Sequence, residues 1–395
     1  MDNRKLFFQH IAQTSPSPIG LEMVKAQGCY IYGADGKKYL DIISGFSVAN
    51  IGHSHPKVIE AVQKQSAEYM HLIVYGEFIQ QPQVQYAKLL TDHLPSSLNC
   101  VYFTNSGAEA VEGAMKLAKR VTCRSKIIAF NKSYHGSTQG ALSIMGDEEF
   151  RNAFRPLLPD VYHFHYNSDE AINAIDHSTA CVIMEVVQAE AGIIKANKEW
   201  LQRLTQKCKE NCTLLIFDEI QSGFGRTGSR WAFEQYNVVP DILLLGKALG
   251  GGMPLGAFIS HQKLMNTLTH NPVLGHITTF GGHPVSCAAG KAAMEVLLDE
   301  ALMASIREKE SILQTVRHPL IKATRTAGLW MAVEFDSFDT CLKVAHSCIA
   351  AGIITDWFLF ASHCLRIAPP LSISNKELED FCHQFKGILD AVQQN

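Results

Sequence analysis

Five short polar clusters in this 395-residue chain each follow a run of apolar residues. Thr104-Asn105-Ser106-Gly107-Ala108 follows CVYF (100–103), and Ser133-Tyr134-His135-Gly136 follows KIIAF (126–130). Glu185, Gln188 and Glu190 close CVIMEVV (181–187). Asp218-Glu219-Ile220-Gln221 follows TLLIF (213–217), and Gly246-Lys247 follows ILLL (242–245). Ser106, Gly107 and Ala108 open a helical pattern, where free backbone N–H groups and the helix dipole favour a phosphate. Asp218 ends a buried-looking strand, where an ionised carboxylate needs a cationic partner such as a protonated ring nitrogen. Lys247 lies between an apolar run and a glycine-rich turn. A partly desolvated lysine there loses proton affinity and becomes a nucleophile able to form a Schiff base. Tyr134 can stack on a planar ring. Taken singly, each has a plainer reading: a capping serine, a structural salt bridge, a loop lysine, a packed tyrosine.

The elements that must position these residues are legible in the same runs. Unbroken apolar stretches of four to seven residues suit strands buried on both faces, as in a parallel sheet wrapped by helices. In an open parallel sheet the carboxyl ends of the strands share one edge, and ligands bind there, so residues distant in sequence would converge. Val111, Ala114, Met115, Ala118 and Val121 repeat at helical spacing after the first run. Ahead of these, 29–32 and 38–42 flank Ala34-Asp35-Gly36 as a hairpin, and Pro56 opens a helix. Beyond 285 the texture becomes α+β. Helices are expected near 286–298, 301–313 and 340–351, with extended runs at 327–335 and 364–368. The expected division is an N-terminal segment (1–50) belonging to a small domain, a large domain (51–285) and a C-terminal small domain (286–395).

Composition narrows the function. Hydrophobic residues make up 47% and charged residues 18%, which is ordinary globular chemistry. A net charge of -3 argues against a dedicated nucleic-acid binder. No window reads as a membrane span: the most apolar, 242–260, is broken by Lys247 and by the glycines 250–252. The N-terminus MDNRKLFFQH carries no apolar signal region. Eleven cysteines without paired spacing read as reduced thiols, so a cytoplasmic location is expected.

Three patterns mislead. Gly223-Phe224-Gly225-Arg226-Thr227-Gly228 matches a dinucleotide fingerprint literally, yet five residues separate it from the strand end and two carboxylates precede it. Gly246-Lys247 imitates a phosphate-binding loop, but Asp241 stands at its first glycine and Ala248 at its Ser/Thr. His53/His55 and His163/His165 lack companions at zinc spacing, so no metal is expected.

Together the motifs NSGAEA (105–110), YHG (134–136), Gln188-Ala189-Glu190, DEIQSGFGRTG (218–228), GKALGGGMPLGA (246–257), TTFGGHP (278–284) and LRIAPPL (365–371) resemble the class III (subgroup II) aminotransferases, most specifically the acetylornithine/ornithine branch. The resemblance implies the fold type I α/β architecture, a mostly parallel sheet flanked by helices plus a smaller α+β domain built from both chain ends. It also implies pyridoxal 5'-phosphate as cofactor. By that resemblance Lys247 is the Schiff-base lysine and Asp218 the partner of the pyridine nitrogen. Gln221 bonds the ring hydroxyl, and Ile220 and Tyr134 flank the ring. Ser106, Gly107 and Ala108 hold the phosphate, and Thr279 reaches the phosphate of a neighbouring subunit, which implies a homodimer with shared sites. Arg366 grips a substrate carboxylate and Glu190 is its gate. The implied reaction is ping-pong transfer of an ω-amino group to 2-oxoglutarate.

Four positions depart from the ornithine-type pattern. Ser137 stands where an arginine follows the His-Gly pair, Phe46 replaces a tyrosine of the donor pocket, Val186 replaces a proline and Ala189 a glycine. Without the arginine, donors such as putrescine, 4-aminobutyrate or a lysine derivative join ornithine and acetylornithine as candidates. The alternatives are another enzyme of this fold (an aminomutase, racemase or decarboxylase), a nicotinamide-dependent oxidoreductase using 223–228, or a non-catalytic relative.

Overall fold

The computed structural model describes residues 2–75 and 77–394. Near the N-terminus, β1 (Met23–Gln27), β2 (Tyr30–Gly33) and β3 (Lys38–Asp41) form an antiparallel meander. The β2–β3 turn needs Gly36, whose φ is +79°, and the Asp35 carboxylate accepts from the Lys37 N–H at 3.0 Å.

The central sheet has seven strands in the order β4-β12-β11-β10-β7-β5-β6. In chain order these are β4 (Cys100–Thr104), β5 (Lys126–Phe130), β6 (Val161–Phe164) and β7 (Thr179–Met184); then, after a two-stranded ribbon of β8 (Val187–Gln188) and β9 (Ile194–Lys195), come β10 (Leu214–Asp218), β11 (Ile242–Leu245) and β12 (Gly256–Ser260). Only β12 runs against the others, pairing antiparallel with both β11 and β4. The inner strands are dry on both faces. Ile127, Ile183, Ile216 and Leu244 point into one core, while Ile128, Val182, Phe217 and Leu245 point into another. That two-sided burial explains why their sequences show no alternation.

Two details differ from the sequence expectation. The run 181–187 does not continue as one strand: β7 ends at Met184, and Val187 restarts in the ribbon, so Glu185 falls in the break. The edge strand β6 was not foreseen. Its VYHF sequence is half polar, and Tyr162 is exposed, because an edge strand packs one neighbour only.

Helices cover both faces. The helix Gly107–Thr122 is capped by Ser106, whose hydroxyl accepts from the Glu109 N–H at 3.2 Å, and it stops at Cys123 in the left-handed region. It lies against β12 at Gly113, where a Cβ would sit 2.3 Å from the Phe258 ring. The helix Pro284–Leu297 packs on Pro56–Glu68, on Gln81–Asp92 and on the turn after Lys247.

The C-terminal region adds a sheet of β13 (Ala323–Thr326), β14 (Met331–Glu334), β16 (Asp356–Phe358) and β17 (Ala361–Ile367), ordered β13-β14-β17-β16. The short β15 (Ile353–Ile354) leaves that group and pairs parallel with β3, so both ends of the chain share one sheet. The long helix Asn375–Gln394 closes the chain.

One buried side chain fastens these parts. Arg226 has no solvent exposure, and its hydrogen bonds among the described residues go to neutral oxygens. Its Nη1 donates to the Leu329 and Pro369 carbonyls at 2.8 Å each, and its Nη2 to Ser44 Oγ at 3.0 Å and to Asn50 Oδ1. The 223–228 loop therefore turns inward around this guanidinium and is itself almost wholly buried. Burial lowers its pKa to about 9, which still leaves it charged at neutral pH. Removing it strands four buried acceptors. Arg226→Ala should cost about 3–5 kcal/mol in urea unfolding, with Arg226→Lys recovering part of the loss.

Candidate active site

The carboxyl ends of β4, β5, β7, β10 and β11 meet along one edge and enclose a cavity of about 260 Å³. Gly107, Ala108, Tyr134, Ser137, Asp218, Ile220, Gln221 and Lys247 are among its walls. Because β12 is reversed, the turn 246–255 leaves and re-enters the sheet at this same edge, which holds Lys247 from both sides. Lys247 has φ +47°, a left-handed conformation costing about 1–2 kcal/mol for a residue with a Cβ. Its Nζ donates to Gln221 Oε1 at 2.6 Å. Burial lowers its pKa to about 8, with Arg366 pushing the same way and the Glu190, Asp218 and Glu185 charges opposing.

Asp218 is 4% exposed and is anchored twice. Its Oδ1 accepts from the Ile220 N–H at 3.0 Å, and its Oδ2 lies 2.7 Å from His135 Nδ1. Burial disfavours the charged imidazole, but the Asp218 hydrogen bond and charge outweigh it and raise the His135 pKa. Beside them, Glu185 accepts from the Tyr134 N–H at 3.0 Å and the Ala189 N–H at 2.9 Å, and burial pushes its carboxyl up to about 7. Sequence reasoning gave neither His135 nor Glu185 a role, although the histidine of the Tyr-His-Gly motif was the available signal.

The N-terminal turn of Gly107–Thr122 is closely approached by other segments. A Cβ on Gly107 would lie 2.8 Å from Ile220 Cδ1, and one on Gly136 would lie 2.6 Å from the Ala108 Cβ. Neighbouring chain can thus close on this helix end only because both positions are glycine. Ser106 stands one residue back from the cavity wall, its hydroxyl oxygen occupied as the cap.

A second cluster adjoins the first. Arg366, on β17, is buried, and its Nη1 and Nη2 donate to the two carboxylate oxygens of Glu190 at 2.9 Å each. Glu190 also accepts from the Leu359 N–H at 2.9 Å. Burial opposes the charge on Glu190, but Arg366 more than offsets it and holds the carboxyl below its ordinary range. Arg366 Nε reaches Asp356 Oδ1 at 3.1 Å, a contact with no sequence signal because it arises from hairpin register. The guanidinium lies 5.1 Å from the Phe46 ring centroid and 4.5 Å from that of Phe358. Phe46 sits in a left-handed turn spanning 44–47, with φ +61°, and Asp41 steadies the turn by accepting from the Ile43 and Gly45 N–H groups.

Thr279 lies with neither the cavity lining nor the Arg366–Glu190 cluster. It is exposed on another face beside Ile73, Leu274 and Ile277, with Phe280 next to it. The histidine pairs have other partners. His53 Nε2 lies 2.7 Å from Asp41, and His163 faces Arg151. Among the described residues, Glu334, His363 and Cys364 approach one another, but Arg325 bonds both Glu334 and the Cys364 sulfur.

The residues present fit a phosphorylated pyridine aldehyde. Among the described residues, buried Gln221 Nε2, His135 Nε2 and Ser222 Oγ have no hydrogen-bond partner, and buried polar atoms of that kind ordinarily find one. Gln221 Nε2 is a spare donor beside Lys247, Asp218 has acceptor capacity left for a ring N–H, and the first-turn N–H groups face the cavity for a phosphate.

The comparisons with known proteins agree. Residues 11–389 match the model of the aminotransferase class-III family. The chain is 38% identical over 386 residues to the acetylornithine aminotransferase of Methanopyrus kandleri, covering 96% of each chain. Among solved structures it is similar to the ornithine aminotransferase of Toxoplasma gondii (TM-score 0.90, 30% identity, 99% of this chain and 94% of that one). It is also similar to the adenosylmethionine-8-amino-7-oxononanoate aminotransferase of Methanocaldococcus jannaschii (TM-score 0.90, 28% identity, 98% of each).

The pKa near 8 at Lys247 gives a pH signature. The neutral amine is the nucleophile. Reductive trapping of pyridoxal 5'-phosphate on the cofactor-free protein should therefore rise about tenfold per pH unit up to pH 8 and level off above it. Glu190→Gln removes the anion that most favours the protonated amine, so the midpoint should fall below 8. Peptide mapping of the borohydride-reduced adduct locates the label, and Lys247→Ala should abolish it.

Proposed function

The chain belongs to the class-III aminotransferases, a pyridoxal-phosphate-dependent transaminase family, and from that premise we propose how its site works and on what. It takes the ω-amino group of an ornithine-like, acetylornithine-like or diamine donor and passes it to 2-oxoglutarate in a ping-pong cycle. The observation carrying this reading is the placement of a desolvated Lys247 amine, a buried Asp218 carboxylate and a Gln221 amide whose Nε2 has no partner among the described residues around one cavity, beside the Arg366–Glu190 pair.

The bound cofactor supplies an aldehyde that captures the donor amine and an electron-withdrawing ring that stabilises the electron pair left on deprotonation. Asp218 would hold the proton of the ring nitrogen, and His135, 2.7 Å from its Oδ2, keeps the carboxylate aimed. Gln221 Nε2 would donate to the ring hydroxyl oxygen, Tyr134 and Ile220 would flank the ring, and Ser106, Gly107 and Ala108 would hold the phosphate. With its amine free, Lys247 Nζ would be the acid–base group that takes up the proton of the donor carbon and gives it back. In the amine half-reaction Glu190 stays on Arg366. In the acid half-reaction it yields the guanidinium to the dicarboxylate.

We place Thr279 of the partner subunit at the phosphate, which makes the working form a homodimer with shared sites. The support is the group of exposed apolar side chains near Thr279, including Ile73 (55%), Ile277 (59%) and Phe280 (53%), since clustered exposed apolar groups mark contact surfaces. A reducing compartment, the cytoplasm, fits eleven free cysteines; no helix among the described residues is long and apolar enough to cross a membrane.

A panel of acetylornithine, ornithine, putrescine, 4-aminobutyrate and lysine, each with 2-oxoglutarate, tests the reading. Parallel-line kinetics with at least one ω-amine are expected, and turnover with no keto acid would reject transamination. Arg366→Ala should lower kcat/KM for 2-oxoglutarate about 100-fold, the loss of a bidentate charge-assisted pair worth about 3 kcal/mol. The amine half-reaction should lose less than about tenfold; equal losses would remove Arg366 from its assigned place.

A further inference from the structure

The carboxylate of Asp356 takes no part in that chemistry, yet it sits against the most constrained cation of the site. Asp356 on β16 is directly opposite Arg366 on β17, and its Oδ1 takes the Nε edge of the guanidinium at 3.1 Å. Glu190 takes the other edge, Nη1 and Nη2. The Trp357 carbonyl accepts a further Nη2 hydrogen bond at 3.2 Å, and Thr355 Oγ1 donates to the Arg366 carbonyl at 2.7 Å. The two carboxylates thus divide the guanidinium between them and leave one positive charge against two negative ones.

The balance matters because, besides Lys247, the described cavity-lining residues offer one further basic group, His135, and it is tied to Asp218. Its walls include Asp218 and Glu185, and its basic amine, Lys247, is the reacting group. Among the described residues no arginine lines it, and Ser137 occupies the wall beside Tyr134. Burial pushes the Asp356 carboxyl up to about 6, so it remains largely ionised at neutral pH. Its side chain is 21% exposed against 7% for Glu190, so of the two it is the one with an open side.

We propose that Asp356 sets donor choice by acting as a second, permanent counter-ion of Arg366. With Glu190 in place, the net negative charge of this cluster favours a donor whose far end is a cation and which presents no carboxylate here, a simple diamine in chemical class. When Glu190 withdraws, Asp356 still holds the Nε edge, so the Nη1/Nη2 fork stays aimed for the acceptor's carboxylate while its pull on that carboxylate is moderated. Asp356 is therefore a positioning and specificity residue, acting through Arg366. The inference rests on the transaminase reading and narrows its donor class.

The test uses the holoenzyme, Asp356→Asn and Asp356→Ala. Binding is read by calorimetry with glutarate, an unreactive dicarboxylate, and turnover with putrescine and with n-butylamine, which lacks the second charge. Asn keeps an acceptor for Nε but not the charge. Asp356→Asn should tighten glutarate about fivefold and reduce kcat/KM for putrescine about tenfold, chiefly through KM, while butylamine changes less than about twofold. Asp356→Ala, which also loses the aim, should weaken glutarate relative to Asn. Equal effects of Asp356→Asn on the two amines, or unchanged glutarate binding, would overturn the proposal. If the wild type turns over neither amine, the ω-amine donor assignment fails by itself, and the glutarate measurement alone decides the role of Asp356.

Discussion

A carboxylate at the end of a strand that is dry on both faces has to be held by something charged or strongly polar, and the geometry around Asp218 is arranged to do this. His135 Nδ1 takes one oxygen and the Ile220 N–H the other, which leaves acceptor capacity on both oxygens of a residue that lines the cavity. Fixing Asp218 also fixes the residues after it: Ile220 is drawn against Gly107 and Gly246, and Gln221 reaches Lys247. The cavity is thus organised outward from one buried carboxylate. Its neighbours on the edge, Glu185 and Glu219, meet the same demand differently, by accepting pairs of backbone N–H groups from Tyr134 and Ala189 and from Ala232 and Phe233.

The active centre also concentrates backbone strain. Lys247 and every residue from 44 to 47 have positive φ, and only one of those five is glycine. Such conformations last only where surrounding bonds over-determine them. At 44–47 the bonds come from Asp41 and from Ser44 Oγ, which donates to the Ala368 carbonyl at 2.8 Å. At 247 they come from two strands of opposite direction that clamp the turn. Function and instability therefore lie in the same residues, and the packing elsewhere must compensate.

The cofactor side of the site could be read from the sequence because its residues sit immediately after apolar runs, where strand direction alone fixes their convergence. Asp218, Lys247 and the helix opening at Gly107 needed no more than that rule. The substrate side was much less legible. The Arg366–Glu190 pair came from resemblance, and Asp356 came from nothing in the sequence, since a cross-strand partner depends on register and a bulge between Trp357 and Phe358 shifts it. The edge strand β6 escaped for a related reason: a strand with one neighbour and one wet side carries too little apolar signal to stand out. Thr279 shows the limit from the other side. Its motif was recognisable, but within one subunit it stands apart from the chemistry.

Arg226 has an implication for recombination. Two of its four acceptors are backbone carbonyls, which any sequence supplies, but the other two are the side chains of Ser44 and Asn50. A chimaera that exchanges the first fifty residues with those of a homologue must inherit an oxygen at both positions, or it will assemble around a guanidinium whose Nη2 has lost both of these acceptors. Crossovers after the third quarter of the chain escape this rule, because Leu329 and Pro369 contribute through the main chain alone.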